Sequence, residues 1–259
     1  MVRPRRNIMS QYYKPHRSRN LYKPGDARPF KLSRSKIDLY VACPRCFYID
    51  RRLGTGRPPG YPFSLNNAVD SLLKAEFDQH RAAATQHPLL ESYGVDARPV
   101  AHDQLVVWRE NFEGVQFLHE PSNLLITGAI DDLWIDSHNH YIVVDYKATA
   151  KTEPVTVLDK PWQDGYKRQM DVYQWLLRRN GLPVSDIGYF VYCTGRPDAE
   201  SFDARLEFDV HLIPYMGNDE WVEPTIEKIH ACLNADRIPE PEPDCDYCAY
   251  VNAVGDALA

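Results

Sequence analysis

The stretch TGAIDDLWIDSHNHYIVVDYKAT, residues 127–149, carries the pattern that decides the fold. Two runs rich in Val, Ile, Leu and aromatic residues are separated by the polar tetrapeptide SHNH at residues 137–140, which is typical of a β-hairpin. Because alternate side chains of a strand share one face, Asp145 and Lys147 point to the same side. The hairpin is also expected to bring Asp131, from the preceding run, beside them.

These three side chains point to metal-dependent chemistry on a phosphate. Two converging carboxylates suit a hard cation such as Mg²⁺ or Mn²⁺, which keeps waters and binds substrate phosphate. Lys147 would orient or deprotonate the attacking water and neutralise the charge that develops in the transition state. The alternative is an ordinary surface ion pair of Asp145 with Lys147, worth about 0–1 kcal/mol. Against it, Asp145 interrupts a strongly apolar strand, and the next helix carries Gln169 and Tyr173 four residues apart on one face.

The remaining patterns predict an α/β protein. Helices are expected in four segments: a short one between Ser33 and Pro44, then about 65–81, 162–179 and 221–235. Strands are expected in six runs: 105–108, 115–119, 123–136 as one continuous run, 141–149, 186–194 and 204–213. A Pro-rich tail with cysteines follows the last helix.

Composition sets outer limits on the function. With 259 residues, 44% of them hydrophobic, the chain has enough apolar material for one large domain or two small ones, which excludes wholesale disorder. The net charge of −6 is divided unevenly, because residues 1–36 hold eleven Lys or Arg and one acidic residue, so that a segment of +10 is joined to a body of −16. Such an arm favours contact with a polyanion, although a solvated tail that offsets an acidic body explains the charge equally well.

The sequence contains no segment typical of a transmembrane helix or of a secretory signal. No apolar run reaches the roughly 18 residues that cross a bilayer, and the N-terminus lacks the apolar core of a secretory signal. We therefore expect a soluble, cytoplasmic protein with no membrane association.

Four of the six cysteines form two C-x-x-C pairs, Cys43 with Cys46 and Cys245 with Cys248. Two such pairs in a cytoplasmic chain predict a four-thiolate metal site, zinc or iron–sulfur, that closes the domain like a clasp. The alternative is reduced thiols without a metal, or disulfides, which a cytoplasmic setting disfavours. Cys193 and Cys232 stand alone and are expected to be buried apolar thiols.

The sequence resembles the PD-(D/E)XK nuclease superfamily, and within it the RecB-like branch, which includes CRISPR-associated and helicase-coupled exonucleases. The matching motifs are G-x-x-D at residues 128–131, D-x-K at 145–147 and Q-x-x-x-Y at 169–173. LSRSKIDLYVACPRCFYI, residues 32–49, is similar to the branch's N-terminal helix and Cys-Pro element. The resemblance spans about residues 31–250, and the motifs in this order are far more specific than any single one.

The resemblance implies a restriction-endonuclease-like α/β core, with a central mixed sheet flanked by helices. It also implies roles for six residues: Asp131, Asp145 and the carbonyl of Tyr146 as metal ligands, Lys147 as the catalytic lysine, and Gln169 and Tyr173 as helix residues that face the site and position substrate.

Two features depart from the branch's pattern. The branch often places a His metal ligand on the helix before the sheet, where this chain offers Asp70, which would favour a harder metal unless it is a solvated helix residue; Glu76 is a second candidate. Some members hold a [4Fe–4S] cluster with one N-terminal and three C-terminal cysteines. The division here is two and two, so both [4Fe–4S] and Zn²⁺ stay open.

The third predicted helix begins with candidate contacts to single-stranded nucleic acid, Trp162, Tyr166, Lys167 and Arg168. Amphipathic packing explains the aromatic residues equally well. His138 and His140, in the hairpin turn, are expected to be surface residues.

The sequence thus predicts a basic irregular arm at residues 1–30 and one nuclease-like domain at residues 31–259 that ends in the cysteine tail. The expected function is hydrolysis of DNA phosphodiester bonds with Mg²⁺ or Mn²⁺, as an exonuclease in DNA repair, recombination or CRISPR-type processing. Its partners would be single-stranded DNA or duplex ends and, since no helicase motif is present, a separate helicase or CRISPR-adaptation protein. The alternatives are a catalytically silent nucleic-acid-binding module with a structural four-cysteine metal site, and a cysteine-clasp protein in which Asp145 and Lys147 form only an ion pair.

Overall fold

The computed structural model describes residue 13, residues 16–60 and residues 64–259 of the chain. The helices in these ranges are α1 (Arg34–Ala42), α2 (Pro44–Arg51), α3 (Ser64–Ala83), α4 (Pro88–Ser92), α5 (Leu105–Trp108), α6 (Asp164–Arg179), α7 (Val222–Asn234) and α8 (Asp246–Leu258). The strands are β1 (Phe30–Ser33), β2 (Ala97–Pro99), β3 (Val115–His119), β4 (Leu124–Gly128), β5 (Asp132–Asp136), β6 (Tyr141–Ala150), β7 (Ile187–Gly195) and β8 (Phe208–Met216). The predicted α/β class is confirmed. Within the described ranges, every helix is too short or too polar to cross a membrane.

The larger sheet has five strands in the order β2-β5-β6-β7-β8. It is mixed, because β6 and β7 run parallel whereas the other neighbours are antiparallel. Its central strand β6 is covered on both faces. Val143 packs with Met170 of α6 in one hydrophobic cluster, and Val144 packs with Phe77 of α3 in the other. The expected mixed sheet flanked by helices is therefore present, with β6 in its middle.

A second sheet has three strands in the order β1-β4-β3, with β1 parallel to β4. The prediction of one continuous strand over residues 123–136 is therefore wrong, since β4 and β5 belong to different sheets. Gly128 ends β4 in a position where a Cβ atom would lie 2.7 Å from the ring of Tyr173. After it the chain leaves the ladder, and the Ile130 amide donates to the carbonyl of Trp108, 3.1 Å away. The residues after Gly128 thus form a link between the two sheets.

The predicted strand at residues 105–108 is also wrong, because these residues form the short helix α5. Leu105 and Trp108 are buried whereas Val106 and Val107 between them are exposed, which is the three-residue spacing of a helical turn and not the alternation of a strand. The Trp108 amide donates to the carbonyl of Gln104 at 2.8 Å.

The predicted helix between Ser33 and Pro44 is confirmed as α1, but Pro44 begins a further helix, α2. Cys43 separates the two in an extended conformation, and proline suits the first position of a helix because its missing amide needs no partner there. Ser33 occupies the N-cap position, yet its hydroxyl makes no capping bond and lies 3.0 Å from that of Ser35.

The C-terminal part differs in two places from the prediction. The last strand, β8, begins at Phe208, later than the expected 204, and continues to Met216. The predicted cysteine tail contains the helix α8, none of whose residues is buried. The other three predicted helices are confirmed as α3, α6 and α7, and Gly181 follows α6 with a φ of +81° that only glycine adopts readily.

Part of the predicted basic arm, residues 1–12 and 14–15, lies outside the described residues. The part that is described runs along α2. The Arg17 amide donates to the carbonyl of Gly54 at 2.7 Å, and the Tyr22 amide to that of Arg51 at 2.8 Å. Arg17 and Lys36 also pair with the buried Asp50, at 2.9 and 2.7 Å. Some of the positive charge of residues 1–36 is thus neutralised within the fold.

Candidate active site

Asp145 and Lys147 share the face of β6 that packs on α6, as the alternation of the strand predicts. The Asp145 side chain is 0% exposed and that of Lys147 is 14% exposed, and the Lys147 ammonium pairs with Asp145 Oδ2. An exposed ion pair of ordinary strength is not what the structure shows, because a buried carboxylate is costly unless it is paired and hydrogen-bonded.

Asp131 lies in the link between β4 and β5. The backbone amide of Tyr146 donates to Asp131 Oδ2 at 2.9 Å. This bond follows from the hairpin register, in which Asp132 is opposite Val144, so that Asp131 lies level with the end of the β6 apolar run. The structure therefore brings Asp131 beside Asp145 and Lys147.

Asp132, the next residue, points away from the cavity into a buried polar network. Its carboxylate accepts from the amide of Leu133 (2.7 Å), the indole of Trp134 (3.2 Å), the hydroxyl of Tyr146 (2.6 Å), Arg109 (2.8 Å) and Arg81. Arg109 in turn donates to the backbone carbonyl of Asp131 at 2.9 Å. The buried Asp132 thus fixes the ring of Tyr146 directly and the backbone of Asp131 through Arg109, on the side away from the cavity.

Gln169 and Tyr173, one turn apart on α6, are buried under the same group. Gln169 Nε2 donates to Asp145 Oδ1 at 2.8 Å and lies 2.9 Å from the Tyr173 hydroxyl, while Gln169 Oε1 is 3.4 Å from Lys147 Nζ. The amide of Gln169 therefore orients both members of the Asp145–Lys147 pair. This placement favours a positioning role over direct contact with substrate, particularly for Tyr173.

Asp70 reaches the site from α3, whereas Glu76 does not. The ammonium of Lys74, one helical turn further on, lies 2.8 Å from Asp70 Oδ2 and 3.5 Å from Asp131 Oδ1, so it bridges the two carboxylates. Glu76 instead pairs with His87, with 2.9 Å between Oε1 and Nε2. Of the two candidate ligands on this helix, Asp70 is the one that the fold brings to Asp131.

Several of these side chains line a cavity of about 520 Å³, within the size range of ligand clefts. Asp70, Asp131, Lys147 and Gln169 line it, together with Arg34 and Lys74. Three asparagines also contribute polar side chains to the lining: Asn66, Asn67 and Asn111. The lining is thus rich in both carboxylate oxygens and cations.

Burial and neighbouring charges shift the protonation of the central pair. Burial raises the pKa of Asp145 to about 7, and the Lys147 ammonium opposes that shift. Burial by itself would lower the pKa of Lys147, but the carboxylates of Asp145 and Asp131 outweigh it and raise that pKa above its ordinary value. Lys147 is therefore a cation at neutral pH.

The donor chemistry of the site suits a hard divalent cation, whereas among the described residues only the four cysteines have ligand atoms that all lie within 4.8 Å of one another. Asp70, Asp131 and Asp145 offer only oxygen atoms, the donors that Mg²⁺ and Mn²⁺ prefer. Asp145 Oδ2 is buried, and its partner is the Lys147 ammonium. A carboxylate oxygen has more lone pairs than one ammonium occupies, so Asp145 keeps acceptor capacity for a cation.

The four cysteines of the two C-x-x-C pairs form a second cluster. Their sulfur atoms all lie within 4.8 Å of one another, and three of the separations are 3.8 Å (Cys43–Cys248), 3.6 Å (Cys46–Cys245) and 3.6 Å (Cys46–Cys248). Cys43 and Cys46 flank the start of α2, whereas Cys245 and Cys248 lie at the start of α8. The predicted clasp between the two ends of the domain is therefore present as a cluster of free thiols.

Arg57 adds a positive charge to this cluster. Its guanidinium donates to Cys245 Sγ at 3.3 Å and lies 4.4 Å from the centre of the Tyr247 ring. A cation at a thiolate favours the deprotonated form that binds metal.

Other predicted residues are placed as follows. Cys193 is buried, and His138 and His140 are exposed, as predicted, whereas Cys232 is only half-buried and not fully buried as expected. Of the candidate nucleic-acid contacts on α6, Arg168 pairs with Asp38 at 2.6 Å and Lys167 with Asp164 at 3.0 Å, while Tyr166 lines the cavity. Trp162, in the turn before α6, is half exposed and its ring contacts that of Tyr166.

Sequence reasoning missed four residues of the site. Lys74 had a usable signal, its spacing of four residues from Asp70 on a helix. Asp132 had a weaker signal: it follows Asp131 directly, and consecutive residues of an extended chain point to opposite sides. Arg109 was hidden by the wrong strand prediction for residues 105–108, and Arg34 had no signal, because only the tertiary fold brings it to the cavity.

The comparison with protein families agrees with this geometry. Residues 31–253 match the family described as the PD-(D/E)XK nuclease superfamily. No curated protein matches the chain significantly. Because the match extends over most of the chain, from β1 to within α8, and includes the link that carries Asp131 and the strand that carries Asp145 and Lys147, the chain belongs to the PD-(D/E)XK nuclease superfamily.

Proposed function

We propose that this protein is a Mg²⁺- or Mn²⁺-dependent deoxyribonuclease that hydrolyses phosphodiester bonds. The observation that carries the proposal is that Asp131 and Lys147 line one cavity, with the buried Asp145 paired to Lys147, in a chain of a superfamily that suggests a metal-dependent nuclease with a nucleic-acid substrate. Asp131, Asp145, Asp70 and the carbonyl of Tyr146 are the residues that would hold the cation. When bound, such a cation would supply Lewis-acid chemistry, polarising the scissile phosphate and favouring ionisation of a water.

The chain's own residues have distinct tasks in this reaction. Lys147 orients the water and offsets negative charge in the transition state, and its raised pKa favours this electrostatic role over proton abstraction. Gln169 holds Asp145 and Lys147 in place, and Tyr173 supports Gln169. Asp132 and Arg109 fix the backbone of Asp131.

We place the chain in the RecB-like branch, as an exonuclease in DNA repair, recombination or CRISPR-type processing with a helicase or CRISPR-adaptation protein as partner. The support is α1, the Cys-Pro element that follows it, and a cluster that joins cysteines from the two ends of the domain. Asp70 in place of a histidine and the two-and-two division of the cysteines depart from the branch's pattern. Exposed Trp162 beside Tyr166 at the cavity is compatible with stacking of an unpaired base.

For the cysteine cluster we propose zinc. A tetrahedral ion with metal–sulfur distances of about 2.3 Å places its sulfurs about 3.8 Å apart, close to the separations in this cluster. A [4Fe–4S] cube needs wider spacing, because its irons and sulfides stand between the cysteines. Zinc analysis of the purified protein tests this, and a brown protein that contains iron instead of zinc overturns it.

The basic arm would add affinity that does not depend on sequence. Arg19, Lys23, Arg28 and Lys31 line an open cavity of about 860 Å³ on the surface between the described part of the arm and α7. Each phosphate neutralised there releases counterions, so the contribution should weaken steeply with salt.

The test of the proposed function is cleavage of end-labelled linear DNA and of circular single-stranded DNA, each with Mg²⁺, with Mn²⁺ and with EDTA. The proposal expects cleavage of the linear strand that EDTA abolishes, and an intact circle identifies an exonuclease. Binding without cleavage under either metal indicates instead the catalytically silent binding module. RNA of the same sequence tests the preference for DNA.

A further inference from the structure

We infer that Arg34 binds a non-bridging oxygen of the phosphate that is cut, an inference that rests on the proposed nuclease function. The residue is not a candidate metal ligand. It lies in the segment 32–49 that resembles the branch's N-terminal helix, but outside the G-x-x-D, D-x-K and Q-x-x-x-Y motifs. Its position, its lack of a partner and the chemistry of its guanidinium support this role.

The topology places Arg34 in the wall of the cavity. Strand β1 is parallel to β4, with Ser33 opposite Thr127. Arg34, the next residue, is therefore level with Gly128, where the chain leaves β4 for Asp131. The side chain lines the cavity with Asp131 and Lys147 and is close enough to lower the pKa of the Asp145 carboxyl through its charge.

Arg34 differs from the other cations of the cavity in having no counter-ion at hydrogen-bonding distance. Lys147 pairs with Asp145, and Lys74 lies between Asp70 and Asp131. Throughout the described ranges, the Arg34 guanidinium makes no ion pair or side-chain hydrogen bond.

The nearest carboxylate on its own helix is already engaged. Asp38 lies one turn after Arg34, the spacing at which an Arg–Asp pair normally forms on a helix. Its Oδ1 instead accepts from Arg168 of α6 at 2.6 Å. This arrangement leaves the Arg34 charge available to a ligand that enters the cavity.

Guanidinium chemistry indicates the class of ligand. The planar fork of donors of arginine matches the oxygens of a phosphate, and such charge-assisted bonds strengthen as negative charge grows in the transition state. Because Asp131 and Lys147 line the same cavity, the phosphate that Arg34 contacts is the one at the reaction centre and not a distant part of the strand.

The test compares Arg34→Met and Arg34→Lys with the wild type and with a matched control, Arg98→Met. Arg98 is an exposed arginine on the edge strand β2 and lies outside the cavity. The first quantity measured is kcat/KM for metal-dependent cleavage of a short fluorescein-labelled single-stranded DNA. The second is the salt dependence of the binding of the same DNA, measured by fluorescence anisotropy in Ca²⁺. Recovery of intact DNA from the Ca²⁺ samples checks that binding is measured without cleavage. Circular dichroism checks that each variant is folded.

Arg34→Met should lower kcat/KM by about 10²-fold, the typical cost of removing one donor to a developing charge. It should also reduce the slope of log K against log salt by about 0.7, the value of one phosphate contact on a single strand. Arg34→Lys should keep the salt slope, because lysine keeps the positive charge. It should lose part of kcat/KM, because lysine lacks the planar pair of guanidinium donors. Arg98→Met should match the wild type in both.

Two results overturn the inference. One is an Arg34→Met protein with wild-type kcat/KM while Lys147→Met is inactive, which leaves the proposed function intact. The other is an unchanged salt slope for Arg34→Met, which indicates a purely structural role even if activity falls. Failure of the wild type to cleave any strand with either metal contradicts the proposed function instead, and the binding slope still decides whether Arg34 contacts phosphate.

Discussion

The backbone amide of Tyr146 donates to the carboxylate of Asp131 across 2.9 Å, and this bond joins the link between the two sheets to the central strand β6. The side chains on either side of Tyr146 in the sequence are Asp145 and Lys147, so the bond fixes all three polar groups of the site relative to one another. The same residue's hydroxyl bonds to Asp132, 2.6 Å away. Tyr146 therefore anchors two consecutive aspartates that point in opposite directions.

Asp132→Asn should strongly destabilise the fold. The buried carboxylate neutralises Arg81 and Arg109, and removal of one partner from a buried ion pair costs about 3–5 kcal/mol, because it leaves a buried charge without compensation. Urea unfolding measures the loss. The matched control is Asp78→Asn, which contacts the same two arginines from a partly exposed position and should cost less than about 1 kcal/mol. Equal losses for the two variants would show that the network is not organised around Asp132.

Gly128→Ala should also destabilise the protein, by about 1–3 kcal/mol, because the added methyl overlaps with a packed core. A Cβ atom at this position meets the Tyr173 ring at 2.7 Å and Leu176 at 3.0 Å. Gly255→Ala on α8, where a Cβ atom meets nothing within 4 Å, is the control and should be neutral or slightly stabilising. If both variants unfold at the same urea concentration as the wild type, the close approach of β4 to α6 is not present in solution.

Lys74→Met should tighten the binding of Mn²⁺. The Lys74 ammonium lies 2.8 Å from Asp70 and 3.5 Å from Asp131, so it competes with a cation for both carboxylates. Loss of a pair worth about 0.5–1 kcal/mol predicts a two- to fivefold lower dissociation constant, measured by electron paramagnetic resonance of free Mn²⁺. Lys228→Met, an exposed lysine of α7, should have no effect. Weaker binding by Lys74→Met would mean that this lysine organises the carboxylates for the metal.

The six cysteines should fall into two classes when the protein is treated with iodoacetamide. Burial raises the pKa of Cys193 to about 11 and that of Cys232 to about 11, so at neutral pH both are thiols and react slowly, and their reaction should accelerate as the pH rises toward 11. The four clasp cysteines should be protected while metal is bound and become reactive after chelation. Mass spectrometry of the peptides identifies the modified residues. Rapid alkylation of Cys193 in the folded protein at neutral pH would contradict its burial, and clasp cysteines that react equally with and without chelator would contradict a bound metal.

Local patterns predicted the parts of the site that lie on regular elements. The alternation of β6 placed Asp145 and Lys147 on one face, and the four-residue spacing on α6 placed Gln169 and Tyr173 under them. The hairpin around residues 137–140 set the register that brings Asp131 to Tyr146. These relationships depend on the periodicity of a strand or a helix, which the sequence shows directly.

Tertiary contacts decided the features that were mispredicted or missed. The apolar run around Gly128 has strand character throughout, and only the approach of Tyr173 shows why the chain changes sheets there. Val106 and Val107 favour a strand by composition, yet Leu105 and Trp108 bury one side of a helical turn. Arg34 reaches the cavity through a parallel pairing between strands far apart in the chain, which no local pattern predicts.

The most direct test of the proposed mechanism is the rate at which Lys147→Met cleaves end-labelled single-stranded DNA in Mg²⁺, relative to the wild type and to Lys228→Met. Lys147 pairs with Asp145 beside Asp131, so its removal should lower the rate by about 10²-fold or more while Lys228→Met keeps the wild-type rate. A folded Lys147→Met protein that cleaves as fast as the wild type would contradict the assignment of this site.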